Sequence, residues 1–245
     1  MVMRSLTEAS RALCYVTSSA FDHAHHAVDK QDRTLANFRG ELLTPIAKGW
    51  STEVAQEVSS LGLQVHGGMG FIEETGAAQF MRDARITTIY EGTTGIQAND
   101  FVGRKLMRDE GREFGRLIEE VRATSDLLSV GGAEFSTITA SLIEGAKTLE
   151  ELSGWLLPRA KNNQQLPGAV AVNLLMAVGT VLGGWLLAKS SLIAKEKIQE
   201  DEPFYSAKMV TARFYAEQIM PRAGAYGKAV LSGHDSTMAL RDDQF

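Results

Sequence analysis

The chain has 245 residues, of which 44% are hydrophobic and 22% charged, with a formal net charge of -5. That is enough chain to bury a sizeable core, as one domain or two, and its charge balance offers nothing to attract a phosphate backbone, which excludes nucleic acid as an expected partner. The single cysteine, Cys14, has no partner for a disulfide or a metal clamp. Within its apolar helical pattern it reads as a core residue in a reducing, cytoplasmic setting. No apolar run with a small-residue cleavage site follows Arg4, so no export signal is expected.

In chain order, Leu6, Leu13, Val16, Ala20, Phe21, Ala24 and Val28 fall on one helical stripe. Ser5 and Glu8 have the spacing of a capping box at its start. His23, His25 and His26 invite a metal reading, but only His23 and His26 share a helix face and no third ligand stands out. A solvated polar face is the preferred reading, and no metal is expected. A second helix is predicted to open at Thr44-Pro45, with threonine as N-cap and proline at the first helical position, and to stop at Gly62. Asp29 to Leu42 then reads as a polar connection.

From Gly62 to Gly95 there are seven glycines, and the one helix-like piece runs roughly from Glu74 to Asp83. Ile96 to Met107 and Phe114 to Leu128 again read as helices, ended by Gly131-Gly132. That glycine pair suggests a boundary between an N-terminal helical part, 1–130, and a C-terminal bundle, 131–245. Within the latter, helices are predicted near Phe135 to Leu157, Ala169 to Ile198, Tyr205 to Met220 and Ala223 to Leu231, separated at prolines. No convincing strand appears, so the predicted fold class is all-α, in antiparallel bundles.

Ala169 to Ala188 is twenty residues without a charge, the usual length for crossing a bilayer. Asn173 and Thr180 need polar partners, Gly179, Gly183 and Gly184 suit close helix packing, and the flanks lack a lysine and arginine asymmetry. A helix buried on all sides is therefore preferred, and no membrane span is expected.

Two segments carry chemistry. In QVHGGMGF, residues 64–71, clustered glycines would let backbone amides approach an anion or a flat ligand, but the spacing is not that of a dinucleotide fingerprint, and taken alone the segment reads as a tight connection sooner than as a cofactor cradle. In IYEGTTGIQ, residues 89–97, Glu91 stands in an otherwise uncharged run before Gly92, with Thr93 and Thr94 as candidate N-caps. A carboxylate in apolar surroundings would have a raised pKa and suit a general base. The competing reading is an acid favourably placed before a helix N-terminus. Composition does not choose between them.

Taken together, residues 61–106, LGLQVHGGMGFIEETGAAQFMRDARITTIYEGTTGIQANDFVGRKL, closely resemble the C-terminal helical domain of acyl-CoA dehydrogenases. The joint spacing of Q-x-x-G-G-x-G-F, M-R-D-A-R-I and I-Y-E-G-T carries the resemblance. Upstream, TPIAKGWSTEVAQEVSSLGLQVHGG, and downstream, KMVTARFYAEQIMPRAGAYGKAV, resemble the branch with an extra C-terminal bundle, which includes methylthiopropanoyl-CoA dehydrogenase-like enzymes. The resemblance implies α,β-desaturation of an acyl-CoA thioester by an FAD enzyme that passes electrons to electron-transfer flavoprotein or a similar acceptor, as a homo-oligomer. It places Glu91 as the base that takes the pro-R α-proton and Gly92 as a substrate contact. The Glu91 N–H would help to polarise the thioester carbonyl. Gln64, Val65, His66, Gly67 and Gly68 match a stretch lying against FAD bound mainly by a neighbouring subunit. Thr93 matches a contact to the FAD phosphate region, and Thr94 and Gly95 are assigned to the cofactor with it, although Gly95 replaces a glutamine common in shorter members. The domains that hold the flavin ring in this family fall outside the sequence. The expectation is therefore the C-terminal part of a flavoenzyme, with a non-catalytic helical assembly module as the alternative.

Overall fold

Every regular element of the computed structural model is helical among the described residues, which are 1–237 and 239–244. Met238 and Phe245, which belong to the expected C-terminal bundle, lie outside the described residues. The order is α1 (Val2–His26), α2 (Lys30–Val65), α3 (Gly68–Phe71), α4 (Ala77–Thr87), α5 (Thr94–Asn99), α6 (Arg112–Gly131), α7 (Ser136–Ala160), α8 (Leu166–Glu196), α9 (Glu202–Gln218) and α10 (Pro221–Leu231). The all-α expectation holds, and the predicted helices after Gly111 match α6 to α10 to within a turn at each end. The helix predicted over Ile96 to Met107 is in fact α5 running into a wider π-helical segment, Asp100–Leu106, with Phe101, Val102 and Leu106 buried.

Three expectations near the N-terminus are corrected. Helix α1 begins at Val2, and Ser5 is buried inside it, its hydroxyl donating to Val2 O at 3.1 Å. The capping box is absent because Glu8 turns instead to cations, Arg4 at 3.0 Å and Lys208 of α9 at 2.9 Å. Cys14 is exposed. The buried stripe is Leu6, Ala9, Leu13, Thr17 and Ala20, at three- and four-residue steps, and position 14 falls off it.

Helix α2 starts fifteen residues earlier than Pro45 would suggest. Asp29 caps it, its carboxylate accepting from the Gln31 and Asp32 amides at 2.6 and 3.1 Å. Pro45 lies inside the helix and Thr44 bonds back to Gly40 O at 2.8 Å, so neither residue opens a helix. A proline removes one helical donor and crowds the preceding turn. Here Leu42, Leu43, Ile46 and Trp50 on both sides of it are buried in one core, and that shared burial holds the helix continuous.

The uncharged run is the middle of the fold. Helix α8 packs on α1, α2, α5, α6, α7, α9 and α10. It is, among the described residues, the one helix long and apolar enough to cross a membrane, yet 83% of its most apolar window is buried by its neighbours. Its glycines set the approach: a Cβ at Gly179 would run into the Trp50 ring of α2, and one at Gly183 would lie 2.7 Å from the Tyr215 hydroxyl. That hydroxyl donates to Thr180 O at 3.0 Å, and complete burial pushes its pKa upward. The core is continuous across Gly131-Gly132.

Ion pairs tie the late helices to the early ones. Arg222 of α10 holds Glu57 of α2 through two bonds of 2.7 and 2.9 Å, and Lys208 of α9 holds Glu8 of α1. Partial burial works to raise the Glu8 carboxyl, but the Lys208 and Arg4 bonds outweigh it and hold the group below the usual 4.5. A depressed carboxyl contributes stability that is present above its unfolded value and lost as pH falls through its folded one. Glu8→Gln is accordingly expected to lower the urea midpoint at neutral pH and to flatten the further loss below pH 4.5. Urea titrations of both proteins across that range provide the check.

Candidate active site

Helix α4 lies against α2 and joins two features that the sequence singled out. On one side is the glycine hairpin. Gln64 sits in the last turn of α2, His66 follows with its Nδ1 2.8 Å from Gly62 O, and Gly67 has φ +60°. Gly70 must be glycine because a Cβ there would strike Leu63 O, whereas Gly68 has an ordinary φ and nothing within 4 Å of a Cβ. At Gly68 neither backbone conformation nor internal packing requires glycine.

Gln64 and Gly67 share the wall of a cleft of about 950 Å³ with Phe71, Met81, Arg82 and Arg85. Val65, His66 and Gly68 are exposed beside it. Arg82 pairs with Glu73 at 3.0 Å, and Arg85 donates to the buried Thr88 hydroxyl at 2.8 Å. Glu91 to Gly95 are not on this wall, so the predicted site residues form two groups.

The second group is the loop at the C-terminal end of α4. Glu91 has φ +53°, a left-handed conformation that disfavours side chains with a Cβ, and Gly92 follows at φ +93°. Such a residue persists only where its surroundings over-determine it. Four bonds do so. Lys48 donates to Thr87 O at 2.9 Å and to Gly92 O at 2.6 Å, Gln97 donates to Glu91 O at 3.1 Å, and the Thr94 amide donates to Thr88 O at 3.2 Å. The Thr93 hydroxyl caps α5 by accepting from the Ile96 amide at 3.3 Å, and Thr94 donates to Glu53 at 2.5 Å.

The polarity of this loop follows. Its carbonyls at Glu91 and Gly92 are engaged inward, while among the described residues no protein acceptor takes the Glu91 N–H. A free donor beside an exposed carboxylate is thus held on a stiff turn. Left-handed backbone alone does not mark a site: Glu110, φ +57°, has it in an exposed turn and pairs with Lys161. The apolar enclosure expected for Glu91 is not supplied by this chain, because its side chain is exposed.

Along the hairpin, α4 and the loop, large apolar side chains are exposed among charged ones. Val65, Met69, Phe71, Phe80, Ile86, Ile89, Tyr90 and Ile96 are all exposed, Phe71 to 83% and Phe80 to 75%. A run of large apolar side chains left open on one segment marks an interaction face. The three histidines of α1, by contrast, are exposed away from any such group, and among the described residues no three His, Cys, Asp or Glu are grouped to hold a metal ion.

The residues that brace the loop, Lys48, Glu53, Gln56 and Gln97, were not singled out in the sequence. Lys48 left a signal there, as the one charge between Leu42 and Ser51. Gly92→Ala tests the brace from the loop side, because its Cβ would lie 2.8 Å from Gln97 Nε2 on a backbone with positive φ. It is expected to cost about 1–2 kcal/mol, read as a lower urea midpoint.

Comparison with known proteins fits this geometry. The family model for the acyl-CoA dehydrogenase C-terminal domain matches residues 2–107, and that described as acetyl-CoA dehydrogenase C-terminal like matches 117–241. The chain is 43% identical to 3-methylmercaptopropionyl-CoA dehydrogenase of Ruegeria pomeroyi, over 96% of the chain and 40% of that protein. It is 30% identical to the broad-specificity linear acyl-CoA dehydrogenase FadE5 of Mycobacterium tuberculosis, over 100% of the chain and 42% of that protein. It thus spans about two fifths of the length of these relatives. In fold it resembles Caenorhabditis elegans ACDH-11, solved with C11-CoA, with a TM-score of 0.70 at 20% identity, covering 89% of the chain and 35% of the other. A Bacillus anthracis acyl-CoA dehydrogenase solved with FAD gives a TM-score of 0.67 at 18% identity, covering 94% and 40%. The chain belongs to the acyl-CoA dehydrogenase family.

Proposed function

We propose that this chain supplies the catalytic base and one wall of the cofactor site to an FAD-dependent acyl-CoA dehydrogenase, with Glu91 abstracting the α-proton of the thioester. The observation that carries this reading is the Glu91 loop itself. A carboxylate is held in a costly backbone conformation by bonds to its own carbonyl and to that of Gly92, with its own N–H free and large apolar side chains exposed nearby. The similarity to acyl-CoA dehydrogenases supports acyl-CoA as the substrate class.

The chemistry follows from the loop. The Glu91 carboxylate takes the α-proton, and the Glu91 N–H bonds the thioester oxygen, so charge developing there meets a fixed donor. Gly92, next to the base on a backbone of positive φ, is the substrate contact expected beside it. When bound, FAD supplies the two-electron acceptor for the hydrogen lost at the β-carbon. The residues that would hold it are Gln64 to Gly68 and Thr93 to Gly95. Gly67 and Gly68 fit, since nothing of this chain lies within 4 Å of a Cβ at either position, and Thr93 fits as the cap of α5. Covering the apolar face, by the flavin-binding region or a second copy of the chain in a homo-oligomer, gives Glu91 the dry surroundings that raise a carboxyl's basicity. Electron-transfer flavoprotein or a similar acceptor then reoxidises the enzyme.

The test is direct. Joined to the flavin-binding region of an acyl-CoA dehydrogenase, the chain is expected to give bleaching of flavin absorbance on addition of acyl-CoA. Flavin that is bound yet indifferent to acyl-CoAs of every chain length would overturn the proposal.

A further inference from the structure

Helix α2 runs alongside the base loop and reaches it at four points. Lys48 holds Thr87 O and Gly92 O, Glu53 accepts from the Thr94 hydroxyl, and Gln56 donates to Ala84 O at 2.5 Å. Lys48 and Gln56 are two turns apart on one helix face, so the helix acts as a ruler against which α4, the loop and the start of α5 are registered.

We infer that Lys48 is the positioning residue of the base: its ammonium clamps the two ends of the Thr88–Glu91 turn and so holds Glu91 in its left-handed conformation. This rests on Glu91 being the base. An ammonium has three donors and no acceptor. Two bond the carbonyls, and the charge lies 5.7 Å from the centre of the Tyr90 ring, the residue next to the base. The side chain is half-buried and, among the described residues, pairs with no carboxylate, so its charge faces the loop carbonyls. The helix beneath is anchored by packing: a Cβ at Gly49, next to Lys48, would lie 3.0 Å from Leu175 of α8, and Trp50 is buried against the same helix.

The first measurement uses the chain alone. The Thr94 amide, bonded to Thr88 O across the loop, reports on the clamp. In Lys48→Met, which keeps length and loses charge, this amide is expected to exchange with deuterium about tenfold faster while amides of α8 keep their protection. Lys48→Arg, which keeps the donors, is expected to retain slow exchange. The second measurement uses the chain joined to a flavin-binding region: Lys48→Met is expected to slow flavin reduction about 10²-fold with KM for acyl-CoA nearly unchanged, and Lys48→Arg to recover most of that loss. Unchanged Thr94 exchange in Lys48→Met overturns the inference, as does loosening of α8 in parallel with the loop. The two readings fail separately. If Lys48→Met frees the loop while Glu91→Gln keeps dehydrogenation, the clamp stands and the base assignment falls.

Discussion

Glu91→Gln is expected to slow acyl-CoA-dependent flavin reduction by about 10²- to 10⁴-fold, the range a positioned general base contributes. Glutamine has the same shape but cannot accept the α-proton at neutral pH. The loop should survive the change, since Lys48 and Gln97 hold backbone carbonyls and touch no atom that the substitution alters. Acyl-CoA binding should therefore persist, through the Glu91 N–H, while the rate falls. Stopped-flow absorbance with the chain joined to a flavin-binding region separates the two. A rate within tenfold of the parent would place the base elsewhere.

The largest effect on stability is expected at Gly179. Trp50 is 1% exposed and fills the contact between α2 and α8, and a Cβ at position 179 would occupy the space of its ring. In a close-packed interior neither helix can shift without disturbing the others that α8 touches. Gly179→Val is thus expected to cost at least about 3 kcal/mol, at the upper end for overpacking, and to lower the urea midpoint accordingly. Trp50→Gly removes the ring together with its Cβ, which would itself lie 2.5 Å from a Cβ at 179, so the two substitutions should couple, the double variant being more stable than the sum of the singles implies. Simple additivity would show that the ring is not what excludes a side chain at 179. Because Lys48 is on the same turn of α2 as Trp50, Gly179→Val should also loosen the Glu91 loop.

Helical period, prolines and glycine pairs were enough to read α6 to α10, because those helices are stopped by local chemistry. Local signals misled where packing overrode them. Thr44-Pro45 has every mark of a helix start, and Ser5 with Glu8 the spacing of a cap. In the folded chain, burial of Leu42 to Trp50 carries α2 through the proline, and Lys208, two hundred residues away in sequence, takes the Glu8 carboxylate. Cys14 was misplaced for a related reason, since an apolar composition does not say where the buried stripe runs.

The candidate base was legible as a residue type in a motif, and Gly67 and Gly68 as a place where something comes close. How the loop holds the candidate base was not legible. Its left-handed backbone and the engaged carbonyls of Glu91 and Gly92 are held by Lys48, forty-four positions from Gly92, and by Gln97. The twenty uncharged residues of α8 were equally ambiguous, since the same composition suits lipid or protein on all sides; only the seven helices around it decide for protein. By itself, then, the sequence determined the helical class, most helix ends and the identity of the chemical groups, because each is written in local period and local residue type. The tertiary structure decided which helices run on, which side of each is buried and how the base is held, because those depend on contacts between residues far apart in the chain.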